Sequence, residues 1–223
     1  MQYSRLVYIL ILLVSFGCRN NPSSPPQVGA GVIMPLALNN QWAYHDKIYD
    51  QNDKLLSEFD DTLKIRYVST GKGEIKYYDI VGQEITDALY NRKDGLWYQT
   101  ISMSGIDSGL VVPYPMTLDS TISLFSYSKT ITLDTNGNFR VDTVMVTITL
   151  KSSSTLMLVP AGNFYCLAYQ QDGTDINTKE VIERYIFYYA INVGEVYEED
   201  YNTFRNAPLH LSKKRSLTSY ILF

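Results

Sequence analysis

The chain has 223 residues, 45% of them hydrophobic and 19% charged, with a formal charge of −4. That balance belongs to a globular chain with a real hydrophobic core and excludes a disordered one. It also speaks against a nucleic-acid partner, because the only basic cluster is the short Lys213-Lys214-Arg215 run.

Residues 1–17 have the form of an export signal. One positive charge precedes an apolar stretch from Leu6 to Phe16, broken only by Ser15. As a helix that stretch rises about 16 Å, against a hydrocarbon core of about 30 Å, so it suits a signal h-region better than a membrane span. Gly17-Cys18 follows, then the polar Arg19-Asn20-Asn21-Pro22-Ser23-Ser24-Pro25-Pro26. This junction resembles the lipobox of bacterial lipoproteins. Ser15 stands where an aliphatic residue is usual, and Phe16 is bulkier than usual. The resemblance implies cleavage before Cys18 and acylation of its sulfur. Two acyl chains give lasting attachment where a single chain binds only marginally. An ordinary secretory signal with an incidental cysteine is the alternative. Residues 18–32, rich in Pro, Ser and Asn, read as a flexible tether. No acidic run follows Cys18, which favours the periplasmic face of the outer membrane over the cell surface.

Residues 33–223 read as a single antiparallel β domain. Nineteen tyrosines, with many Val, Ile and Thr, favour strands. Strands are predicted over Phe59–Tyr67, Glu74–Val81, Ile85–Tyr90 and Leu96–Ile101, with turns at Gly71-Lys72-Gly73 and Arg92-Lys93-Asp94-Gly95. Trp42, Tyr44 and His45 fall on a presumed first strand. Thr121–Leu133 and Phe139–Leu150 flank Asn136-Gly137, the strongest short hairpin signal. Val144, Val146, Ile148 and Leu150 alternate with more polar residues, the period of a half-buried strand. Asn163–Gln170, Val181–Ala190, Glu195–Glu199 and Leu217–Phe223 complete the set, with a further turn expected at Asp172-Gly173. One short helix is expected near Met103–Ser108 or near Asn202. Roughly ten strands exceed a small flat sheet. The expected fold is therefore all-β, a strongly curved antiparallel sheet forming a half-barrel or barrel, with a β-sandwich as the alternative.

Five phrases in order resemble a group of envelope lipoproteins from Bacteroidetes-type bacteria. They are Met34-Pro35-Leu36 with Asn39-Asn40-Gln41-Trp42-Ala43-Tyr44, Lys93-Asp94-Gly95-Leu96-Trp97-Tyr98, Val112-Pro113-Tyr114-Pro115-Met116, Val159-Pro160-Ala161-Gly162-Asn163-Phe164-Tyr165-Cys166, and Tyr188-Tyr189-Ala190 with Val193-Gly194-Glu195-Val196. Asn39-Asn40 departs from the group's Gly, and Ile191-Asn192 replaces its Pro-Gly. The resemblance implies a β-rich envelope domain, like the curved sheet of lipoprotein-carrier proteins, and transfers no catalytic residue. Physically, Pro160-Ala161-Gly162 reads as a turn, Trp42 and Trp97 as core plugs, and Gly194 as a bulge or close strand approach.

No catalytic, cofactor or metal set stands out. His45 and His210 lack partners at zinc spacing. After acylation of Cys18, Cys166 is the remaining cysteine, and Phe164-Tyr165-Cys166-Leu167 reads as buried apolar sequence rather than a nucleophile's setting. Asp134, Asn136 and Asn138 match the start of a calcium loop, but its Gly and closing acid are missing. Asp60-Asp61 and Glu198-Glu199-Asp200 read as solvated charges. The tyrosines are the positive hint. Tyr185, Tyr188, Tyr189 and Tyr197 cluster on the last strands, with Tyr77 and Tyr78 elsewhere, either as ligand-face aromatics or as cross-strand packing. The function expected is a non-catalytic, lipid-anchored envelope protein that binds a hydrophobic ligand, a glycan or a protein partner. The alternatives are an assembly subunit of an envelope complex and a hydrolase with an unrecognised site.

Overall fold

A computed structural model describes residues 31–69, 72–78, 84–102, 105–132, 139–203 and 208–223. The expected leader, Cys18, the expected tether up to residue 30 and the expected Asp134–Asn138 turn lie outside the described residues. Twelve strands follow one another: β1 (Gln41–Tyr49), β2 (Leu55–Ser69), β3 (Lys72–Tyr78), β4 (Glu84–Arg92), β5 (Gly95–Ser102), β6 (Gly105–Pro113), β7 (Thr121–Thr132), β8 (Phe139–Val159), β9 (Gly162–Asp175), β10 (Val181–Ala190), β11 (Gly194–Asn202) and β12 (His210–Ile221). They form one sheet in the order β6-β5-β4-β3-β2-β1-β12-β11-β10-β9-β8-β7. Neighbours along that order are antiparallel.

The order is a meander in which every strand lies beside its chain neighbour, except that β6 and β7 are the two edges. The first and last strands pair instead, from Gln41 opposite Ile221 to Ile48 opposite Lys213. The sheet bends back on itself. The Tyr169 hydroxyl of β9 donates to the Pro113 carbonyl of β6 at 2.9 Å, joining strands far apart in the order. The link between the edges, with Tyr114 and Met116 buried, runs past β8, where Asp119 N–H donates to Leu150 O at 2.8 Å. No ladder joins β6 to β7 among the described residues, so the barrel form of the expectation is not closed there.

Period-two alternation builds the core. On β1, Trp42, Tyr44 and Asp46 turn inward; on β8, Val144, Val146, Ile148 and Leu150 do so. Trp42 is fully buried and its indole N–H donates to Val193 O at 2.6 Å. Gly194, with φ +114°, keeps that contact close, since a Cβ there would lie 3.3 Å from the indole nitrogen. Gly95, φ +141°, makes the expected Asp94-Gly95 turn. Val32, the second described residue, is docked on the β10–β11 turn: its carbonyl accepts from Asn192 N–H at 2.8 Å and its N–H donates to the Asn192 side chain at 3.0 Å.

Several expectations are corrected. Gly105–Ser108 begins β6 and Asn202 ends β11, so no helix forms at either place among the described residues. Asp172-Gly173 lies inside β9 rather than at a turn. The glycine is there for a crossing side chain: a Cβ on Gly173 would meet Glu183 Cγ at 2.4 Å. Glu183 passes over it to reach the Tyr127 hydroxyl and Lys129 Nζ, the latter at 2.7 Å. Trp97 is half-buried, not a core plug. It donates to Asp94 at 3.1 Å and carries the Arg92 guanidinium 4.3 Å from its ring.

Candidate functional site

A cavity of about 240 Å³ opens on the inward face of the sheet. Its wall is largely apolar, with Met34, Leu63, Leu89, Leu96, Val111 and Phe187, and three tyrosines, Tyr44, Tyr98 and Tyr189. At one end stand Glu195 and Arg215. Strands from both halves of the order contribute, so the bend of the sheet makes the cavity.

The polar end exists because of a bulge. Tyr189 opposes Glu195 and Tyr188 opposes Tyr197, so Val196 is the extra residue. Glu195 and Glu198 are three apart and would otherwise face opposite ways. With the bulge both turn inward, Glu198 opposite Phe187 and Asp200 opposite Tyr185. Across the β11–β12 ladder, Glu198 meets Arg215 and Asp200 meets Lys213. Arg215 holds Asp46 with two nitrogens at 2.8 Å each and reaches Asp61 at 3.1 Å. Its guanidinium lies 5.0 Å over the Tyr44 ring. Lys213 donates to Glu198 at 3.1 Å and lies 4.0 Å from Asp200.

Glu195 is enclosed. Its Oε2 accepts from the Tyr189 hydroxyl at 3.1 Å, and its backbone carbonyl accepts from the Tyr44 hydroxyl at 3.3 Å. Its Oε1 has no hydrogen-bond partner among the described residues. Burial, and next the charge of Glu198, push its carboxyl up to about 7, while Arg215 and Lys213 pull it back. Burial and Glu198 likewise push Asp200 up to about 8, against the pull of Lys213.

The sequence-predicted tyrosines divide between two faces. Tyr189 lines the cavity. Tyr185 lies on the same face, stacked on Phe187 with ring centroids 6.0 Å apart and planes at 4°. Tyr188 and Tyr197 pair on the opposite face, 5.8 Å apart, where the Tyr197 hydroxyl donates to Glu199 at 3.0 Å. The side chains of Tyr77 and Tyr78, like Cys18, are outside the described set. His45 sits on the outer face between Asp60 and Glu58, at 2.8 and 3.4 Å, and its hydrogen bond to Asp60 raises its pKa. Cys166 is fully buried, and burial pushes its thiol up to about 12. No group of three metal-ligating side chains occurs among the described residues.

The acidic run needs correction. Glu198 and Asp200 are not solvated but lie inward against Lys213 and Arg215, and only Glu199 of the three faces out, to Lys214 at 3.5 Å. Asp60 is exposed as expected, while Asp61 is enclosed at Arg215. Sequence reading missed Glu195, Arg215, Lys213 and Asp46. One signal was present: an acidic run and a basic run on successive strands, each alternating, which an antiparallel pair brings face to face.

No family model matches the chain, and no curated protein matches it. Two solved structures resemble it. One is a Bacteroides fragilis protein described as exported and as having a YmcC-like fold. It is 16% identical, with a TM-score of 0.53, over 86% of this chain and 100% of that one. The other is a Parabacteroides distasonis protein described as a lipoprotein, 15% identical, with a TM-score of 0.49, over 86% of this chain and 99% of that one. At these identities the first likeness extends to the fold alone: the chain is all-β and antiparallel, and its architecture resembles that of the Bacteroides fragilis protein.

Proposed function

We propose that this chain is a lipid-anchored envelope lipoprotein of a Bacteroidetes-type bacterium that holds a small hydrophobic ligand inside its bent sheet, without turning it over. In this reading the sheet is a half-barrel, open between β6 and β7, in the manner of lipoprotein carriers. The carrying observation is the cavity, with six apolar side chains and three tyrosines on its wall. Its volume is below the usual range of about 300–1,000 Å³, which favours one short chain or ring over a glycan. The Gly17-Cys18 junction and a structural neighbour described as exported support the envelope location. The periplasmic face of the outer membrane is the preferred site.

Two experiments test this reading. Native mass spectrometry of protein extracted from membranes should find a small apolar molecule released on denaturation. A cavity that takes up no apolar probe at all overturns the ligand reading. Cys18→Ser should leave the chain uncleaved and without acyl groups by mass. If the variant is processed like the parent and as firmly bound, the anchor is not there.

One observation favours a second reading, an assembly subunit. β7 is an edge strand, and Ile122 and Phe125 on it, with Val141 and Met145 on β8, are exposed. Unpaired edges with apolar side chains are sites of strand addition. Cross-linking from position 122 in intact cells should then trap a specific partner, and a clean monomer would remove this reading.

A further inference from the structure

The cavity ends on a buried carboxyl that is only half used. Glu195 Oε1 has no partner, although buried polar atoms almost always find one. Among the described residues Glu195 makes no ion pair. The nearby cations are committed elsewhere: Arg215 to Asp46 and Asp61, Lys213 to Glu198. Five inward carboxyls, Asp46, Asp61, Glu195, Glu198 and Asp200, thus face two cations. The wall itself carries one acid and one base, Glu195 and Arg215, and the acidic excess of the cluster behind them favours a positive guest.

We propose that the cavity binds a single-chain cationic amphiphile of the primary alkylamine class, with its ammonium on Glu195 Oε1 and its chain along Leu63, Leu89, Leu96 and Val111. The ammonium supplies the missing donor and forms a charge-assisted hydrogen bond. The rings of Tyr44, Tyr189 and Phe187 border the same space and favour a cation over their faces. The cavity volume is worth roughly eight waters at about 30 Å³ each, which suits a short alkyl chain and not a two-tailed phospholipid. A fatty acid is the wrong sign for this end, even though it fits the wall.

The proposal carries a pH signature. The groups facing Glu195 are Tyr189 from β10, Glu198 and Asp200 from β11, Arg215 and Lys213 from β12, Tyr44 and Asp46 from β1, Asp61 from β2 and Tyr98 from β5. Burial first, and then Glu198, push its carboxyl up to about 7 against the pull of Arg215 and Lys213. An alkylammonium, titrating like a lysine at about 10.4, stays charged throughout. Amine binding therefore strengthens as pH rises from 6 to 8, as Glu195 ionises.

This ligand class rests on the hydrophobic-ligand reading above, and the test separates the two. The full chain is titrated with hexylamine, 1-hexanol and hexanoate at pH 8, followed by intrinsic fluorescence. Hexylamine should bind about tenfold tighter than hexanol, the margin of a charged over a neutral hydrogen bond, with hexanoate weakest. From butylamine to hexylamine each methylene should tighten binding about fourfold. Glu195→Gln should abolish the tenfold margin of hexylamine over hexanol. Should that variant fail to fold, the parent decides: hexylamine affinity must rise between pH 6 and 8 while hexanol affinity stays level. Amine binding no tighter than alcohol, or flat with pH, overturns the amine proposal and leaves hydrophobic binding intact. No binding by any of the three overturns both.

Discussion

Along β1 the inward residues change character without changing burial. Trp42 and Tyr44 lie at one end and Asp46 next in line, each at most 3% exposed. The apolar end of the inward face, continued by Leu63, Ile65 and Ile148, is held by removing surface from water. It asks only for apolar residues of about the right volume. The other end, around Asp46, Arg215, Lys213 and Glu198, is held by placing each charge against a named partner. A charge removed there leaves its partner buried and alone. One strand period delivers both, so burial by itself says nothing of what a position tolerates.

The comparison can be broken at either end. Trp42→Ala should produce the largest loss, about 3–5 kcal/mol for the void plus roughly 1 for the bond to Val193, read from urea unfolding. Arg215→Met should destabilise by about 3–5 kcal/mol, because Asp46 remains enclosed. Replacing both, as Asp46→Leu with Arg215→Met, should recover more than half of that. An additive double variant would mean that the polar end is no different in kind from the apolar one.

Acidity sharpens the contrast next. The raised carboxyls of Glu195 and Asp200 mean that the folded state keeps protons which the unfolded chain releases near pH 4. The contribution of these two groups is therefore greatest below that range, falls between about pH 4 and 8, and levels off above. Glu195→Gln and Asp200→Asn should each flatten the slope in thermal melts, and a parent whose melting rises with pH would contradict the sign. The smallest effect belongs outside: Lys214→Ala, which loses the outer-face pair with Glu199, should change stability by less than about 1 kcal/mol.

The apolar end was legible in the sequence. Val144 to Leu150 alternate in plain view, and Thr121, Phe139, Val181 and Ala190 mark strand limits at the residues where the structure has them. Gly173 misled because a glycine beside Asp reads as a turn, whereas its reason is a side chain from the next strand. β6 was missed because Gly105, Ser108 and Gly109 dilute its apolar period. The polar end was hidden for a different reason. Glu195 turns inward only because Val196 bulges, and a bulge depends on the partner strand. Asp46 and Arg215 are 169 residues apart, so no local window holds both. The tyrosines were half informative: alternation split Tyr185 and Tyr189 from Tyr188 and Tyr197, and the adjacent Tyr188-Tyr189 could never share a face.

The order of the strands has a kinetic consequence. Each ladder but one joins chain neighbours and can form as soon as its hairpin exists. The exception, β1 with β12, must wait until the far end of the chain has arrived, and it carries the highest entropic barrier of loop closure. A circularly permuted chain, cut between Pro113 and Thr121 and rejoined from Phe223 to Gly31, would turn that distant meeting into an ordinary hairpin and should refold faster while reaching the same sheet.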